Sequence, residues 1–306
     1  MLTTVLAHAG QPPQPHDLWS AWNLSPLLLT GLVLAWLAYR RGRPAGRGRD
    51  ADIRRARCFA GALLALAVAL VSPLDALGEA LASAHMVQHV VLILVAAPLL
   101  ALSAPSSALL RGSPLSVRRA TSRWRRRLRP ADRGLRMAGG AVTVWLLHVA
   151  VVWLWHASVL YDAAVANPWL HVLEHATFLV TGLWFWRVII GARGGATRVA
   201  HGLGILLVFA MAMQSVFLSV IMTFARTPWY TSYATTTQPW GLDPLADQQL
   251  AGVIMWVPAG VIYLGVALTL LAVWLRDIDR DTAAPQQVRT AVPDRLTTRA
   301  VRECDG

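Results

Sequence analysis

Seven long apolar runs dominate the chain and leave little sequence for anything else. They fall at about Trp19–Tyr39, Cys58–Leu74, Leu81–Leu102, Met137–Trp155, Trp169–Ile190, Gly202–Phe224 and Leu250–Leu275. A helix needs about 20 apolar residues to cross a hydrocarbon layer of roughly 30 Å. Five runs reach that length without a charge. Cys58–Leu74 is short, and Trp169–Ile190 contains Glu174 and Arg187. Charged residues make up only 14% of the 306 residues, against about 25% in an ordinary soluble domain. These features predict an all-α fold, a polytopic membrane bundle of seven transmembrane helices. Residues 1–18 are then a tail outside the cell, 19–275 the membrane domain and 276–306 a basic, flexible cytoplasmic tail. No segment is large enough for a separate soluble domain.

The net charge is +12, and all 28 basic residues are Arg. Such a balance can signal nucleic-acid binding, but here the arginines lie between apolar runs, so no nucleic-acid partner is expected. Their distribution carries direction instead. Residues 40–57 hold eight arginines and 103–136 hold ten. Arg193 and Arg198 follow the fifth run, and six more lie beyond Leu275. The alternate connections, 75–80, 156–168 and 225–249, hold only Arg226. The positive-inside rule then puts the N-terminus outside and the C-terminus in the cytoplasm, with the basic loops also suited to anionic lipid. Trp19, Trp22, Trp153, Trp155, Trp169, Trp229, Tyr230, Tyr233 and Trp240 map to the outer boundary, as an interfacial aromatic belt would. The start of the chain lacks the basic n-region of a signal peptide. Cys58 and Cys304 form no CxxC pair, which argues against a thiolate metal site. Pro98 and Pro258 lie inside runs and predict kinks. Gly61, Gly139, Gly182, Gly204, Gly252 and Gly260 predict close helix contacts.

Ionisable or polar side chains inside a span are costly and mark function. His85 and His89 lie in the first turns of the third span, and His171 and His175 in those of the fifth. Each pair is spaced i, i+4, which places both rings on one helix face. Asn167-Pro168 reads as an N-cap with proline at the first helical position. At about 1.5 Å per residue, the four rings share one depth near the outer boundary. His148 lies near mid-membrane and His156 at the outer end of the fourth span. Met255 lies near mid-depth in the seventh, and Met211, Met213 and Met222 in the sixth. A lone intramembrane histidine usually bonds a neighbouring helix, but two matched pairs form a metal or haem pattern. Imidazole suits copper, zinc, iron and nickel, and thioether sulfur selects copper(I). The candidate metal residues are therefore His85, His89, His171, His175, His156, His148 and Met255. Glu174, Gln88, Asp247 and Gln248 are supporting residues, with Glu174 orienting a ring from behind and Asp247 capping its own helix. His8 and His16 read as solvated, Arg187 as snorkelling to the inner boundary.

Several motifs occur together. They are Ser72-Pro-Leu-Asp75, Ala84-His-Met-Val-Gln-His89, Ala97-Pro-Leu, Trp153-Leu-Trp-His156, Leu160-Tyr-Asp-Ala163, His171-Val-Leu-Glu-His175, Phe185-Trp186 and Asp247-Gln-Gln-Leu-Ala-Gly-Val-Ile-Met-Trp-Val-Pro258. In this order the sequence resembles the multi-span CtaG-type cytochrome c oxidase assembly factors associated with caa-type oxidases. The likeness runs over roughly Trp19–Leu275. It implies a multi-pass protein of the bacterial plasma membrane that serves respiratory-chain assembly. Its implied partners are haem–copper oxidase subunits or their assembly intermediates. A role in copper supply is the inference usual for the family.

The expected function is an assembly factor, a metallochaperone holding copper at a histidine cluster near the outer leaflet. A bis-histidine haem protein and a metal-free docking scaffold are the alternatives. An enzyme is not expected. A hydrolytic metal site with bound water is conceivable, but no HExxH-type motif is present.

Overall fold

The computed structural model describes residues 12–43, 49–137, 140–191 and 198–290. His8, Gly139, Arg193 and Cys304 lie outside the described residues. Every regular element among the described residues is helical. The helices are α1 (Pro26–Arg41), α2 (Arg49–Leu70), α3 (Pro73–Ala80), α4 (Ala82–Ser103), α5 (Ser106–Gly112), α6 (Leu115–Met137), α7 (Ala141–His156), α8 (Ser158–Ala166), α9 (Pro168–Gly191), α10 (Arg198–Thr223) and α11 (Pro244–Thr290). Each of the seven apolar runs overlaps at least one of them. By length and composition, Ala82–Ser103, His201–Thr223 and Pro244–Arg280 can cross a membrane alone. Two bent pairs raise the number to five. One joins Asp50–Leu70 to Pro73–Ala80 at 42°, the other Ala141–His156 to Ser158–Ala166 at 73°. The remaining two runs are weaker. Helix α1 has 16 residues, about 24 Å of rise, and α9 carries His171, Glu174, His175 and Arg187.

Local signals start several helices. Ser72 precedes Pro73 and accepts from the backbone N–H of Leu74 at 3.3 Å, capping α3. Asn167 Oδ1 accepts from the N–H groups of Trp169 and Leu170, with Pro168 at the first helical position. That is the cap expected for the fifth run. The segment 103–136, expected as a loop, forms α5 and α6 instead. On α6 the exposed Arg118, Arg119, Arg123, Arg126 and Arg127 share the helix with exposed Leu115, Val117 and Trp124. The apolar spacing is helical, a period that a count of loop charges does not register.

The main core joins α4, α7, α9, α10 and α11, with Phe178, Phe185, Trp186, Val208, Met211, Tyr263 and Leu270 buried in it. Helices α10 and α11 run along each other, and α11 also packs against the start of α4. At Gly252 a Cβ would sit 2.9 Å from the Ser219 carbonyl, so the absent side chain lets α11 approach α10. Gly260 meets nothing within 4 Å and plays no such part.

Pro98 distorts α4 as expected. Residues Val91–Ala96 adopt a π-helical turn just before it, because proline donates no hydrogen bond and frees carbonyls in the preceding turn. The indole Nε1 of Trp186 on α9 donates to one of these, Ile93 O, at 2.8 Å. No such break accompanies Pro258, where α11 is assigned as one continuous helix.

Trp186→Phe keeps most of the packing and removes this donor. It should lower stability by about 1–3 kcal/mol, the cost of leaving a buried acceptor unpaired. Trp184→Phe, on the partly exposed face, should cost much less. Thermal unfolding of the two variants in detergent checks the difference; equal melting temperatures would refute it.

Candidate metal centre

Helix α4 carries two of the expected rings but has no cap of its own. Leu81 occupies its N-cap position with no side-chain hydrogen bond. The missing acceptor comes from α11. Asp247 accepts from the N–H of Ala82 at 2.6 Å, from the N–H of Ser83 at 3.2 Å and from the Ser83 hydroxyl. Asp247 thus caps α4 rather than its own helix, and its charge meets the positive end of the α4 dipole. Gln88 ties α4 to α2 and α3 by donating to Ala69 O at 2.8 Å and Asp75 Oδ1 at 3.0 Å. A Cβ at Gly78 would collide with the Gln88 carboxamide, so α3 and α4 meet at van der Waals limit there. The start of α4, and with it His85 and His89, is held on three sides.

The capped start of α9 brings His171, Glu174 and His175 to face them. Ring centroids lie 4.4 Å apart for His85–His89, 4.2 Å for His171–His175, 5.0 Å for His85–His171, 5.5 Å for His85–His175 and 5.3 Å for His89–His175. His156, at the end of α7, stands 5.9 Å from His89. Glu174 lies among the rings rather than behind them. Its Oε2 is 3.4 Å from His85 Nε2 and its Oε1 3.4 Å from His89 Nε2, and neither oxygen makes a hydrogen bond. One potential ligand atom each from His85, His171, Glu174 and His175 all lie within 4.8 Å of one another. Glu174, His85, His89, His156 and His175 are buried and His171 is half-buried, so His171 marks the mouth. Phe178 closes the floor under His89 at 4.6 Å.

Three tyrosines cover the mouth. Tyr161 on α8 stacks on Tyr230 at 3.8 Å and lies 5.0 Å from His85. Tyr233 Oη donates to Gly78 O at 2.8 Å, and His85 Nδ1 lies 3.2 Å from the same oxygen. With the phenol's proton committed to a carbonyl, Nδ1 must donate, which leaves His85 Nε2 as a lone pair aimed at Glu174. Burial pushes the phenols of Tyr230 and Tyr233 up from their ordinary value, so both stay neutral donors at neutral pH. Tyr230 donates to His156 O at 3.2 Å. The segment between α10 and α11 is pinned at its edges. Asp162 accepts from Thr231 and Ser232, Gln248 Oε1 accepts from Trp229 N at 2.6 Å, and Thr236 donates to Ala80 O at 2.8 Å.

The aromatic belt therefore needs correction. Trp19 and Trp169 are exposed as a belt requires, but Tyr230, Tyr233 and Trp155 are buried. The tyrosines look interfacial in sequence because they flank an apolar run. Only the fold turns them inward, though two tyrosines three residues apart beside a histidine-bearing bundle end were a usable signal. His148 is not with the other rings. It is buried beside Phe185 at 5.9 Å, its Nδ1 donating to Thr181 Oγ1 at 2.8 Å. Met255 is half-buried against the apolar clusters around Tyr161 and around Phe178. Arg187 donates to Ser106 at 2.8 Å, at the end of the bundle away from the rings.

The donor set fits a metal ion. Buried imidazole nitrogens without hydrogen bonds are costly; His85, His89, His156, His171 and His175 each present one, those of His85, His171 and His175 gather with Glu174, and that of His89 lies 3.4 Å from Glu174 Oε1. Val152 O receives His156 Nδ1 at 2.7 Å, which again leaves Nε2 as the free donor.

A family model for the cytochrome c oxidase caa3 assembly factor (Caa3_CtaG) matches residues 32–277. The chain is 30% identical over 285 residues to uncharacterized protein Mb0105 of Mycobacterium bovis and, equally, to uncharacterized protein MT0111 of Mycobacterium tuberculosis. Each alignment covers 90% of this chain and 42% of the relative. A Mycobacterium leprae protein, uncharacterized ML1998, is 25% identical over 88% of this chain and 42% of its own. The chain thus spans less than half the length of the curated relatives it matches. No solved structure matches it.

Asp247→Ala should cost about 0.5–2 kcal/mol, the usual value of an N-cap, and raise amide exchange at residues 82–85. Asp247→Asn, which keeps one acceptor, should cost less. Hydrogen exchange with thermal unfolding tests this, and unchanged protection at the start of α4 in both variants would defeat it.

Proposed function

The chain belongs to the cytochrome c oxidase caa3 assembly factor family, and on that premise we propose that it holds copper at the histidine cluster for delivery to a haem–copper oxidase or its assembly intermediates. Copper is cargo in this reading, bound and passed on rather than transformed, so the protein is not an enzyme. The observation that carries it is the convergence of unpaired ligand atoms of His85, His171 and His175 on Glu174. Neutral imidazoles bring a metal into an apolar bundle without burying further charge, and imidazole suits copper. One carboxylate offsets the cation. The residues' part is to bind, orient and shield. Asp247 and Asn167 fix the two helices, Tyr233 and Val152 O set which nitrogen faces the centre, and the tyrosines and Phe178 limit water. His171, half-buried at the mouth, is where a ligand of the acceptor can enter.

The haem alternative is weaker. Axial imidazoles of a haem face each other across a porphyrin plane, whereas these rings meet tilted or edge to face with centroids 4.2–5.9 Å apart, and Glu174 fills the space between.

The same reading includes seven crossings of the bacterial plasma membrane, with the N-terminus outside and the cluster near the outer leaflet. The asymmetry of the arginines supports it. Cysteine-accessibility labelling of intact cells should find position 235 reactive and position 116 protected; the reverse pattern, or labelling of both, would overturn the orientation.

Purified protein loaded with copper under reducing conditions should retain at least one equivalent after desalting, with no Soret band. His85→Ala with His175→Ala should lower retention at least twofold and lower oxidase assembly in cells. Copper-free protein after loading would sink the proposal.

A further inference from the structure

The Glu174 carboxylate faces two different sets of nitrogens. Its Oε2 points to His85 and its Oε1 to His89, each at 3.4 Å. Ligand atoms of His85, His171 and His175 lie within 4.8 Å of one another and of one Glu174 oxygen. The second oxygen faces His89, whose ring lies 5.9 Å from that of His156. His89 has no hydrogen bond on either nitrogen, and His156 Nε2 is buried and unpaired with its tautomer fixed by Val152 O. Two imidazoles that share one metal through bonds near 2.0 Å hold their centroids roughly 5–6 Å apart. The separations 5.0 Å for His85–His171, 5.5 Å for His85–His175 and 5.9 Å for His89–His156 fit a shared ion, as does 5.3 Å for His89–His175, whereas His171 and His175, at 4.2 Å, would have to spread to join one. One ion cannot use five imidazoles and both carboxylate oxygens, because four donors complete a tetrahedral site.

We propose that the cluster is a dinuclear site, with Glu174 bridging one ion held by His85, His171 and His175 and a second held by His89 and His156. This rests on the reading of the cluster as a copper site and specifies its capacity. Bridging carboxylates in two-metal centres hold ions about 3.5–4 Å apart. The two half-sites differ in chemistry. The first has four donors and is saturated. The second has three and is one donor short of a tetrahedral set. Like charge weakens whichever ion binds second, and the three-donor half-site is the one that fills second. The pair thus combines a tightly held ion with a more weakly held, transferable one.

Silver(I), a redox-inert stand-in for copper(I), is titrated into the full chain in detergent, with bound metal measured after desalting. Two equivalents are expected, the second at least tenfold weaker. His89→Gln with His156→Gln should bind one equivalent at the tighter affinity, and His85→Gln with His171→Gln should lose the tighter step. Retention of none overturns the copper reading itself. One equivalent in the unsubstituted protein overturns only the second site, and two equivalents in the His89/His156 variant overturn its location. X-ray absorption of the unsubstituted copper(I) protein needs no variant to fold. A copper–copper distance of about 3.5–4 Å is expected, and its absence at full loading overturns the bridge.

Discussion

A carboxylate with no hydrogen bond, fully buried in an apolar bundle, is the constraint around which the rest of this structure is arranged. Glu174 is 0% exposed and both its oxygens lack a hydrogen-bonded partner. Desolvating such a group costs several kcal/mol unless a partner offsets it. The nearest candidates are imidazole nitrogens, themselves buried and themselves unpaired. Nothing on α9 hydrogen-bonds the carboxylate, and the cation proposed above, shared with those nitrogens, would offset the cost. On that reading the surrounding scaffold holds costly groups in one place for the ion.

That scaffold works through carbonyls and caps more than through packing. Val152 O, Tyr233 and Thr181 each take up the Nδ1 of one histidine, so His156, His85 and His148 all present Nε2. For His85 and His156 this aims the free nitrogen at the cluster. His148 has the same arrangement beside Gly182 and Phe185, away from the other rings. Its neighbour Thr181 bonds back to Thr177 O at 2.7 Å, and Thr177 to Glu174 O at 2.9 Å. A line of polar contacts therefore descends α9 from the cluster to His148, which joins no group of potential metal ligands among the described residues.

Much of this was legible in the sequence, for identifiable reasons. Apolar runs give helices because each must satisfy its backbone internally in hydrocarbon. The i, i+4 histidines give shared faces because helix geometry is fixed, and Asn167-Pro168 gives a start because capping is local. What escaped was everything decided between helices. Asp247 sits in the first turn of α11 and looks like its own cap, yet its acceptors are spent on α4, 165 positions away in the case of Ala82. Glu174 was expected behind a ring and instead lies among five of them, since a carboxylate beside a histidine in sequence does not say which neighbour it faces. Tyr230 and Tyr233 carry the composition of an interfacial belt and were turned inward by contacts with Asp162 and Gly78. The bends after α2 and α7 place α3 and α8 across the bundle end, and apolar content alone does not register a bend.

The cover over the cluster also bears on how a bound ion could leave. Its inner face is made of stacked tyrosines and buried hydrogen bonds to Gly78 O and His156 O. Its edges rest on exposed bonds to Asp162, of the sort worth about 0.5–1.5 kcal/mol each. Opening the edges costs little; withdrawing Tyr233 costs more, because Gly78 O and His85 Nδ1 both lose their partner. Once that phenol leaves, His85 Nδ1 no longer has a fixed acceptor, and the ring is free to turn its Nε2 away from Glu174. On the copper reading proposed above, a partner that drew the 224–243 segment aside would do two things in one movement. It would uncover the half-buried His171, and it would loosen the orientation of a ring at the heart of the site, so that exposure and weakened ligation arrive together rather than in sequence.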